Sequence, residues 1–194
     1  MKTLLKLSIL FASLLPVITS CKKDDDEVTK PRNINESELI TTVKLVMVDS
    51  ANANSTYTAV FKDEDGEGGN APSIFDTIRL AANTTYNVEV ILLDESKTPV
   101  DTISKEVEEE GKEHQFFYSA SGGADIHISY LDADDNGVPV GLKVKFRTGS
   151  VTSGKNGKLK VVLKHQGENK PVTGLGDPSI GDTDVEIDFP VLLY

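Results

Sequence analysis

From Glu38 to the C-terminus, apolar and polar residues alternate in short segments separated by glycine, proline, asparagine and aspartate. Successive side chains of a strand point to opposite faces of a sheet, so this alternation predicts strands that are buried on one side. Many short strands with turn signals between them are typical of an antiparallel β-sandwich. We therefore predict an all-β fold for residues 38–194, an antiparallel sandwich in one domain. The apolar sets that define the predicted strands are Leu39–Met47, Tyr57–Phe61, Ile74–Leu80, Tyr86–Leu92, His114–Tyr118, Ile126–Tyr130, Leu142–Phe146, Leu159–Leu163 and Val185–Val191.

Residues 100–110 fit two kinds of secondary structure. Val100, Ile103 and Val107 have helical spacing, and Gly111 could end a helix. Thr102, Ile103 and Val107 also suit a strand, and the segments on both sides are β. We predict a strand here.

One turn resembles a feature of fibronectin type III and immunoglobulin-like sandwiches. In Leu80-Ala81-Ala82-Asn83-Thr84-Thr85-Tyr86, the tyrosine stands where the tyrosine corner of those domains would place it. There the hydroxyl bonds to backbone a few residues upstream. The alternative is an ordinary asparagine-containing turn followed by a core tyrosine.

Three predicted strands carry outward charges of one sign. Two are basic and the last is acidic; the residues are Lys143, Lys145 and Arg147, then Lys158, Lys160 and Lys164, and finally Asp184, Glu186 and Asp188. Opposite charges on neighbouring strands stabilise a sheet and like charges destabilise it. We therefore expect the acidic strand to lie beside a basic one. The basic residues could instead bind an anionic ligand, but solvated strand faces explain them more simply.

The N-terminal segment has the form of an export signal. Residues 1–20 begin with lysines, continue with a short apolar run and end in small residues, which is typical of a secretory signal peptide. Ile18-Thr19-Ser20-Cys21 resembles the bacterial lipoprotein box, in which the signal is cut before the cysteine and the cysteine is acylated. The resemblance implies palmitate or similar chains on Cys21. The alternative is an ordinary signal that leaves one free thiol.

Residues 21–37 follow as a charged segment that we expect to be a flexible tether. The sequence Lys22-Lys23-Asp24-Asp25-Asp26 resembles the export signal of Bacteroidota surface lipoproteins. That resemblance implies a lipid anchor in the outer membrane with the domain facing the cell exterior, while the periplasmic face is the alternative.

The charge and the cysteine content exclude some functions. The formal net charge is −11, and removal of residues 1–20 makes it more negative, because they contain two lysines and no acid. Such a surface repels phosphate backbones, so we expect no nucleic-acid partner. Cys21 is the single cysteine, so no disulfide can stabilise the domain and its apolar core must be sufficient.

Two acidic loops are candidate calcium sites. Asp132-Ala133-Asp134-Asp135-Asn136-Gly137 matches the first half of an EF-hand loop, with oxygen donors at Asp132, Asp134 and Asn136. Lys143 occupies the position of the bidentate glutamate, so a true EF-hand is excluded and a plain hairpin turn is the alternative. The weaker candidate is Asp63-Glu64-Asp65-Gly66-Glu67-Gly68-Gly69-Asn70, where Asp63 and Asp65 would be ligands; its alternative is a solvated loop.

Catalytic signals are weak. His114, His127 and His165 lack the spacing of metal ligands on one element, and no nucleophile elbow, phosphate-binding loop or paired His-Glu zinc motif occurs. We therefore expect a protein that is not an enzyme, and rank a hydrolase last.

Several segments together resemble a group of flavobacterial lipoproteins. They are Asp65–Pro72, Glu113–Phe117, Gly137–Leu142, Leu159–His165 and Gly181–Ile187. Members are often labelled as having a type 1 periplasmic binding fold, which is larger and alternates strands with helices. The sequence pattern predicts that this chain is nearly all strand. The resemblance implies no activity and no ligand.

We therefore expect a lipid-anchored, non-catalytic envelope sandwich that binds a ligand or partner protein, with a role beside an outer-membrane transporter in nutrient uptake. Binding should occur on loops at one end, near 63–70 and 132–137, because rigid scaffolds commonly present binding loops. The alternative is a structural or adhesive surface protein stabilised by calcium.

Overall fold

The computed structural model describes residues 39–66, 69–150 and 156–194. They all belong to one compact unit that spans Asn35–Tyr194. The predicted signal segment, Cys21 and the tether lie outside the described residues. In the part of the chain that is described, no helix is long and apolar enough to cross a membrane.

The domain is a sandwich of two β-sheets, as predicted from the alternation. In chain order its elements are β1 (Thr42–Asp49), β2 (Asn52–Lys62), β3 (Ile74–Phe75), β4 (Ile78–Leu80), β5 (Thr85–Leu93), α1 (Ile103–Glu109), β6 (His114–Gly122), β7 (Ile126–Tyr130), β8 (Lys143–Thr148), β9 (Gly157–His165) and β10 (Asp182–Leu193). The larger sheet has the order β3-β2-β1-β5-β8-β7, and the smaller has the order β4-β10-β9-β6. All neighbouring strands are antiparallel except β4 and β10, which are parallel. The predicted single strand over Ile74–Leu80 is wrong, because the chain crosses from the larger to the smaller sheet between β3 and β4. At this crossing the Asp76 carboxylate accepts a hydrogen bond from the Val60 N–H, which ends the pairing of β3 with β2.

The inward residues of both sheets form one continuous apolar core. Phe116, Phe146 and Phe189 are its largest fully buried side chains. The burial of alternate residues follows the sequence pattern most clearly in β8, where Val144 and Phe146 are buried and Lys143, Lys145 and Arg147 are exposed. Burying such side chains stabilises the fold by about 1.5–3 kcal/mol each, before the entropy cost of ordering the chain.

The acidic strand lies beside a basic one, which confirms the expectation from the outward charges. β10 pairs with β9, and Glu186 and Asp188 lie among Lys158 and Lys160. Lys160 contacts Glu186 in an ion pair, and the Lys158 Nζ lies 3.5 Å from an Asp188 carboxylate oxygen. These pairs are exposed, so they add little to stability, and the buried face of the strands sets their register.

The predicted strand over 100–110 is wrong, because α1 occupies Ile103–Glu109. Ile103 and Val107 are each only 1% exposed and lie one turn apart on the buried face. An alternating strand that buried these two residues would also turn Lys105 toward the core. The helix keeps Lys105 on its outer side, and this removes the cost of burying its charge.

The helix α1 lies at one end of the sandwich, which we call the helix end. The pairs Thr42–Lys62 and Thr42–Leu93 place the start of β1 and the ends of β2 and β5 there. The end of β7 and the start of β8 point toward the same end, although Lys143 pairs with Glu89, four residues before the end of β5. In the smaller sheet, His165 pairs with His114 and with Asp182, which places the start of β6, the end of β9 and the start of β10 at this end. These strand ends pack against α1. Four loops therefore lie at the helix end, and their described residues are 63–66 with 69–73, 94–102, 131–142 and 166–181.

The turn before β5 lies at the opposite end. Tyr86 is buried, and its hydroxyl oxygen accepts a hydrogen bond from the Ala81 N–H at 3.0 Å. Asn83 has a φ of 53° in this turn, a conformation that asparagine tolerates better than most residues. The hydroxyl thus bonds to backbone five residues upstream, as in the tyrosine corner that the sequence resembles.

Candidate functional site

A buried ion pair joins two loops at the helix end. Lys170 Nζ lies 3.1 Å from an Asp134 carboxylate oxygen, and the two side chains are only 1% and 2% exposed. Lys170 also donates a hydrogen bond to the Gly111 carbonyl at 2.6 Å. Loop 166–181 is therefore joined through one ammonium group to loop 131–142 and to the chain just after α1.

The pKa values of this pair reflect its burial and its partners. Burial alone would raise the pKa of Asp134, but the Val138 N–H, the Lys170 ammonium and the Asn136 N–H together hold it below its usual value. Burial lowers the pKa of Lys170, and Asp134 opposes that shift. The attraction between the two opposite charges thus offsets part of the cost of burying each of them.

Two buried glutamines hold the remainder of loop 166–181. The Gln115 side-chain oxygen accepts a hydrogen bond from the Gly176 N–H at 3.0 Å, and the Gln166 amide donates to the Asp177 carbonyl at 2.7 Å. A Cβ atom on Gly176 would lie only 2.3 Å from the Gln115 oxygen, so the loop approaches β6 closely at this glycine. These bonds satisfy the Gly176 N–H and the Asp177 carbonyl, while Gln115 Nε2 and Gln166 Oε1 have no hydrogen-bond partner among the described residues.

The held loops expose apolar side chains to solvent. Val172 is 68% exposed and Leu175 is 56% exposed, although their loop is anchored by buried bonds. Other large exposed apolar residues lie at the same end. Together we call these side chains the helix-end surface: Leu39, Val100, Leu131, Val172, Leu175 and Ile180. The concentration of exposed apolar side chains at this end makes it the candidate binding surface.

Acidic residues surround the helix-end surface in excess over basic ones. Glu64, Glu108 and Asp135 are examples, and their ion-pair partners are Lys62, Lys143 and Lys112. The four loops of this end contain twelve acidic residues and only two lysines, Lys97 and Lys170, in the sequence. The surface therefore suits a partner that presents apolar groups together with positive charge.

Two histidines stack below α1. The His114 and His165 rings face each other at a centroid distance of 4.5 Å. Two acids flank the pair: His165 Nε2 lies 3.1 Å from a Glu113 carboxylate oxygen, and His114 Nε2 lies 3.8 Å from one of Asp184. A cavity of about 20 Å³ adjoins His114 and Asp184 and has room for one water molecule.

Burial and the neighbouring His165 lower the pKa of His114 to about 4. Lys170 acts in the same direction. The Glu110 carbonyl, which lies 3.3 Å from His114 Nδ1, and Glu113 oppose the shift without cancelling it. The folded protein therefore holds His114 neutral at physiological pH.

In the structure, the carboxylates of the stronger calcium candidates bond to backbone N–H groups of their own loop and to Lys170. Asp132 accepts hydrogen bonds from the Gly141 N–H at 2.7 Å and the Lys143 N–H at 2.9 Å. Asp134 accepts from the Asn136 and Val138 N–H groups in addition to its contact with Lys170. These carboxylates close their own loop, as the hairpin alternative would have them do, and Asn136 lies exposed beside them.

The weaker calcium candidates lie close to each other. Burial and the neighbouring Asp65 raise the pKa of Asp63, and the bonds from Asn70 lower the pKa of Asp65. Both acidic loops lie at the helix end. The strands β2 and β7 that precede them are four strand spacings apart, about 19 Å, so the two loops begin at separate positions on this end. Among the described residues, no three His, Cys, Asp or Glu side chains are arranged to hold a metal.

Sequence reasoning missed Lys170, Gln115 and Gln166. One signal was available: Phe116 and Phe117 are adjacent apolar residues, and both are buried, which breaks the alternation of β6. A strand with both faces apolar must be covered on both sides. Nothing local in the sequence identifies loop 166–181 as the cover.

No family model matches the chain, and neither the curated proteins nor the solved structures contain a significant match.

We expect Lys170→Met to lower the free energy of unfolding by about 3 kcal/mol, because it leaves the Asp134 carboxylate buried without its cation. Asp134→Asn in the same chain should recover part of that loss. The matched control is Lys112→Met, since Lys112 forms an exposed pair with Asp135 of loop 131–142 and its loss should leave stability nearly unchanged. Urea unfolding measures all three, and equal losses from the two lysine variants would contradict the assignment.

Acid should destabilise the fold through His114. Its pKa is about 4 in the folded protein and about 6.5 when unfolded, so stability is fully present above pH 6.5 and is lost as the pH falls toward 4. Between pH 7 and pH 5 the expected loss is about 2 kcal/mol. Urea unfolding at both pH values should show this loss reduced in His114→Phe and retained in His127→Phe, which changes an exposed histidine. An unchanged loss in His114→Phe would contradict the prediction.

Proposed function

We propose that the protein is a lipid-anchored module of the bacterial outer membrane that has no catalytic activity and binds a partner through the helix-end surface. The partner we favour is an outer-membrane transporter whose nutrient uptake this module assists, with the domain facing the cell exterior. The observation that carries the proposal is the position of exposed apolar side chains on loops that buried bonds hold in place. A surface ordered before binding loses less conformational entropy when a partner docks.

The direction of the chain supports a partner at the membrane. Leu39 begins the described residues at the helix end, where the Thr41 N–H donates to the Leu93 carbonyl. Cys21, the proposed lipid attachment point, lies eighteen residues before Leu39. Eighteen residues span at most about 60 Å when fully extended. The helix-end surface would thus remain within reach of proteins in the same membrane.

The charge of the helix end favours a protein partner over the lipid itself. Its acidic excess repels the anionic groups of a membrane surface, so adsorption to lipid would be opposed. A transporter loop that combines apolar and basic side chains would meet both the apolar residues and the carboxylates. Val172 and Leu175 are the exposed anchors that such a loop would cover first.

We expect a photo-crosslinking amino acid at Leu175 to form one adduct with a membrane protein when the full chain is produced in its native bacterium. The same amino acid at Ser50, in the β1–β2 turn at the opposite end, should form none. The Leu175 adduct should disappear when Val172→Asp is added, because a charge in the contact opposes burial. Equal adducts from both positions, or an adduct unaffected by Val172→Asp, would contradict the helix-end assignment.

The anchor is tested separately with Cys21→Ser. This change should move the protein from the membrane fraction to the soluble fraction and abolish incorporation of labelled palmitate, because stable anchoring requires the acyl chains. A wild-type protein that stays in the membrane fraction but incorporates no labelled palmitate would contradict lipid anchoring. The crosslinking result does not depend on that outcome.

One observation favours the alternative of a calcium-stabilised adhesive or structural protein. Asp63 is buried beside Asp65, and one Asp63 carboxylate oxygen has no hydrogen-bond partner among the described residues. A cation would relieve the repulsion between the two carboxylates, and backbone carbonyls would have to complete its coordination. Asp134 is unsuitable for testing this alternative, because its removal unpairs Lys170 whether calcium binds or not.

If calcium binds at Asp63 and Asp65, it should stabilise the wild-type protein by about 2.7 kcal/mol at a calcium concentration one hundred times the dissociation constant. The melting temperature in calcium should then exceed the value in chelator. Asp65→Asn should abolish that shift, and Asp135→Asn, an exposed acid in the other loop, should retain it. Identical melting with calcium and with chelator would exclude the calcium-stabilised alternative.

A further inference from the structure

The strand β7 forms an edge of the larger sheet and exposes its outer backbone groups. Among the described residues it pairs only with β8. The Leu131 N–H donates to the Lys143 carbonyl at 2.9 Å, so the odd-numbered residues of this strand bond toward β8. The N–H and C=O groups of Ile126, Ile128 and Tyr130 therefore point away from the sheet. One of these groups is already used, because the Ile126 N–H donates a hydrogen bond to the Ala124 carbonyl.

The edge lacks the features that usually prevent pairing with another chain. Edge strands are commonly protected by lysine, by proline or by an irregular backbone. Residues 126–130 read Ile-His-Ile-Ser-Tyr and contain neither lysine nor proline. Ile128 and Tyr130 face the sandwich but remain half-exposed, because no strand covers them on the outer side.

The other edges of the described sheets are less suitable. β3 and β4 contain only two and three residues. In β6, the Phe116 N–H already bonds to the Val140 carbonyl at 2.7 Å. The first half of β2 is open, but residues 52–56 consist of Asn, Ala, Asn, Ser and Thr and offer little apolar area to bury.

We propose that β7 pairs antiparallel with β7 of a second copy of this chain, about a two-fold axis at Ile128. In that register Ile128 faces its own copy, Ile126 faces Tyr130, and His127 faces Ser129. Beyond the strand, Asp125 would face Leu131. A charged residue on a two-fold axis would face the same charge on the second copy, and the two would repel. In the proposed register no carboxylate faces a carboxylate.

The pairing would form few but favourable contacts. Two hydrogen bonds join the Ile128 residues, and each Tyr130 N–H can donate to an Ile126 carbonyl. Ile126 beside Tyr130 is a β-branched residue beside an aromatic one, a cross-strand pair that stabilises sheets. A five-residue strand buries less area than a standard interface, so we expect a dissociation constant on the order of 0.1 mM.

The first experiment measures mass against concentration by sedimentation equilibrium on residues 22–194. The wild type should approach twice the monomer mass near 1 mM protein, about tenfold above the expected dissociation constant. The double variant His127→Lys/Ser129→Lys sets lysine against lysine on the exposed face and should raise the dissociation constant at least tenfold. The control, Asn54→Lys/Thr56→Lys, adds two lysines to the other open edge and should leave it unchanged.

The second experiment tests the register with cysteines. Residues 22–194 contain no cysteine, so introduced thiols are the only ones present. His127 and Ser129 of two chains would form a non-hydrogen-bonded pair, with Cα atoms about 4.5 Å apart, within disulfide range. Mixing His127→Cys with Ser129→Cys under mild oxidation should therefore give the mixed covalent dimer several times faster than either variant alone.

Dimerisation that weakens in the β7 lysine variant, together with preferential mixed disulfides, supports the proposal. A protein that stays monomeric at 1 mM overturns it. Dimerisation that weakens only in the β2 variant overturns it as well, and so does equal oxidation of the mixed and separate cysteine variants, because those results place the contact elsewhere.

Discussion

The ion pair between Lys170 and Asp134 is the interaction on which the arrangement of the helix end depends. Lys170 reaches both Asp134 and the Gly111 carbonyl, so one side chain connects three segments that are distant in sequence. A buried pair of this kind adds little stability over apolar residues of similar size, but it is costly to break. It selects one position for loop 166–181, and this position covers the outer face of β6.

The same end of the domain is closed from inside by α1. Ile103 and Val107 enter the gap between the sheets, and the chain after the helix returns into β6 at the stacked histidines. The loops that reach solvent at this end are therefore attached to a packed interior. This explains how Val172 and Leu175 can be exposed on a loop whose backbone is held by Gln115, and it is the physical basis of the proposed binding surface.

The sequence pattern predicted the features that repeat along the chain. Alternation located most strands of both sheets, although it joined β3 and β4 into one strand. The signs of the outward charges predicted that the acidic strand lies beside a basic one, and β10 lies beside β9. Helix α1 was predicted wrongly as a strand because Ile103 and Val107 share a face in either structure. The position of Lys105 decides between them, since only the helix keeps it out of the core.

The contacts of the candidate site could not be predicted, because they depend on residues far apart in sequence. Asp134 was a calcium candidate from its own loop, and its partner Lys170 comes 36 positions later. Likewise, nothing near Gln115 indicates that Gly176 will approach it. Such pairs form only after the sheets have brought the loops to one end.

Hydrogen exchange of the backbone amides, followed at neutral pH in the wild-type protein, tests most directly whether buried polar bonds hold the helix end. If these bonds hold the loops, the Gly176 and Val138 amides exchange at least about 100-fold more slowly than the exposed amides of residues 53–56 in β2. Exchange of Gly176 as fast as in that part of β2 would show that loop 166–181 opens freely, and it would contradict a preformed binding surface.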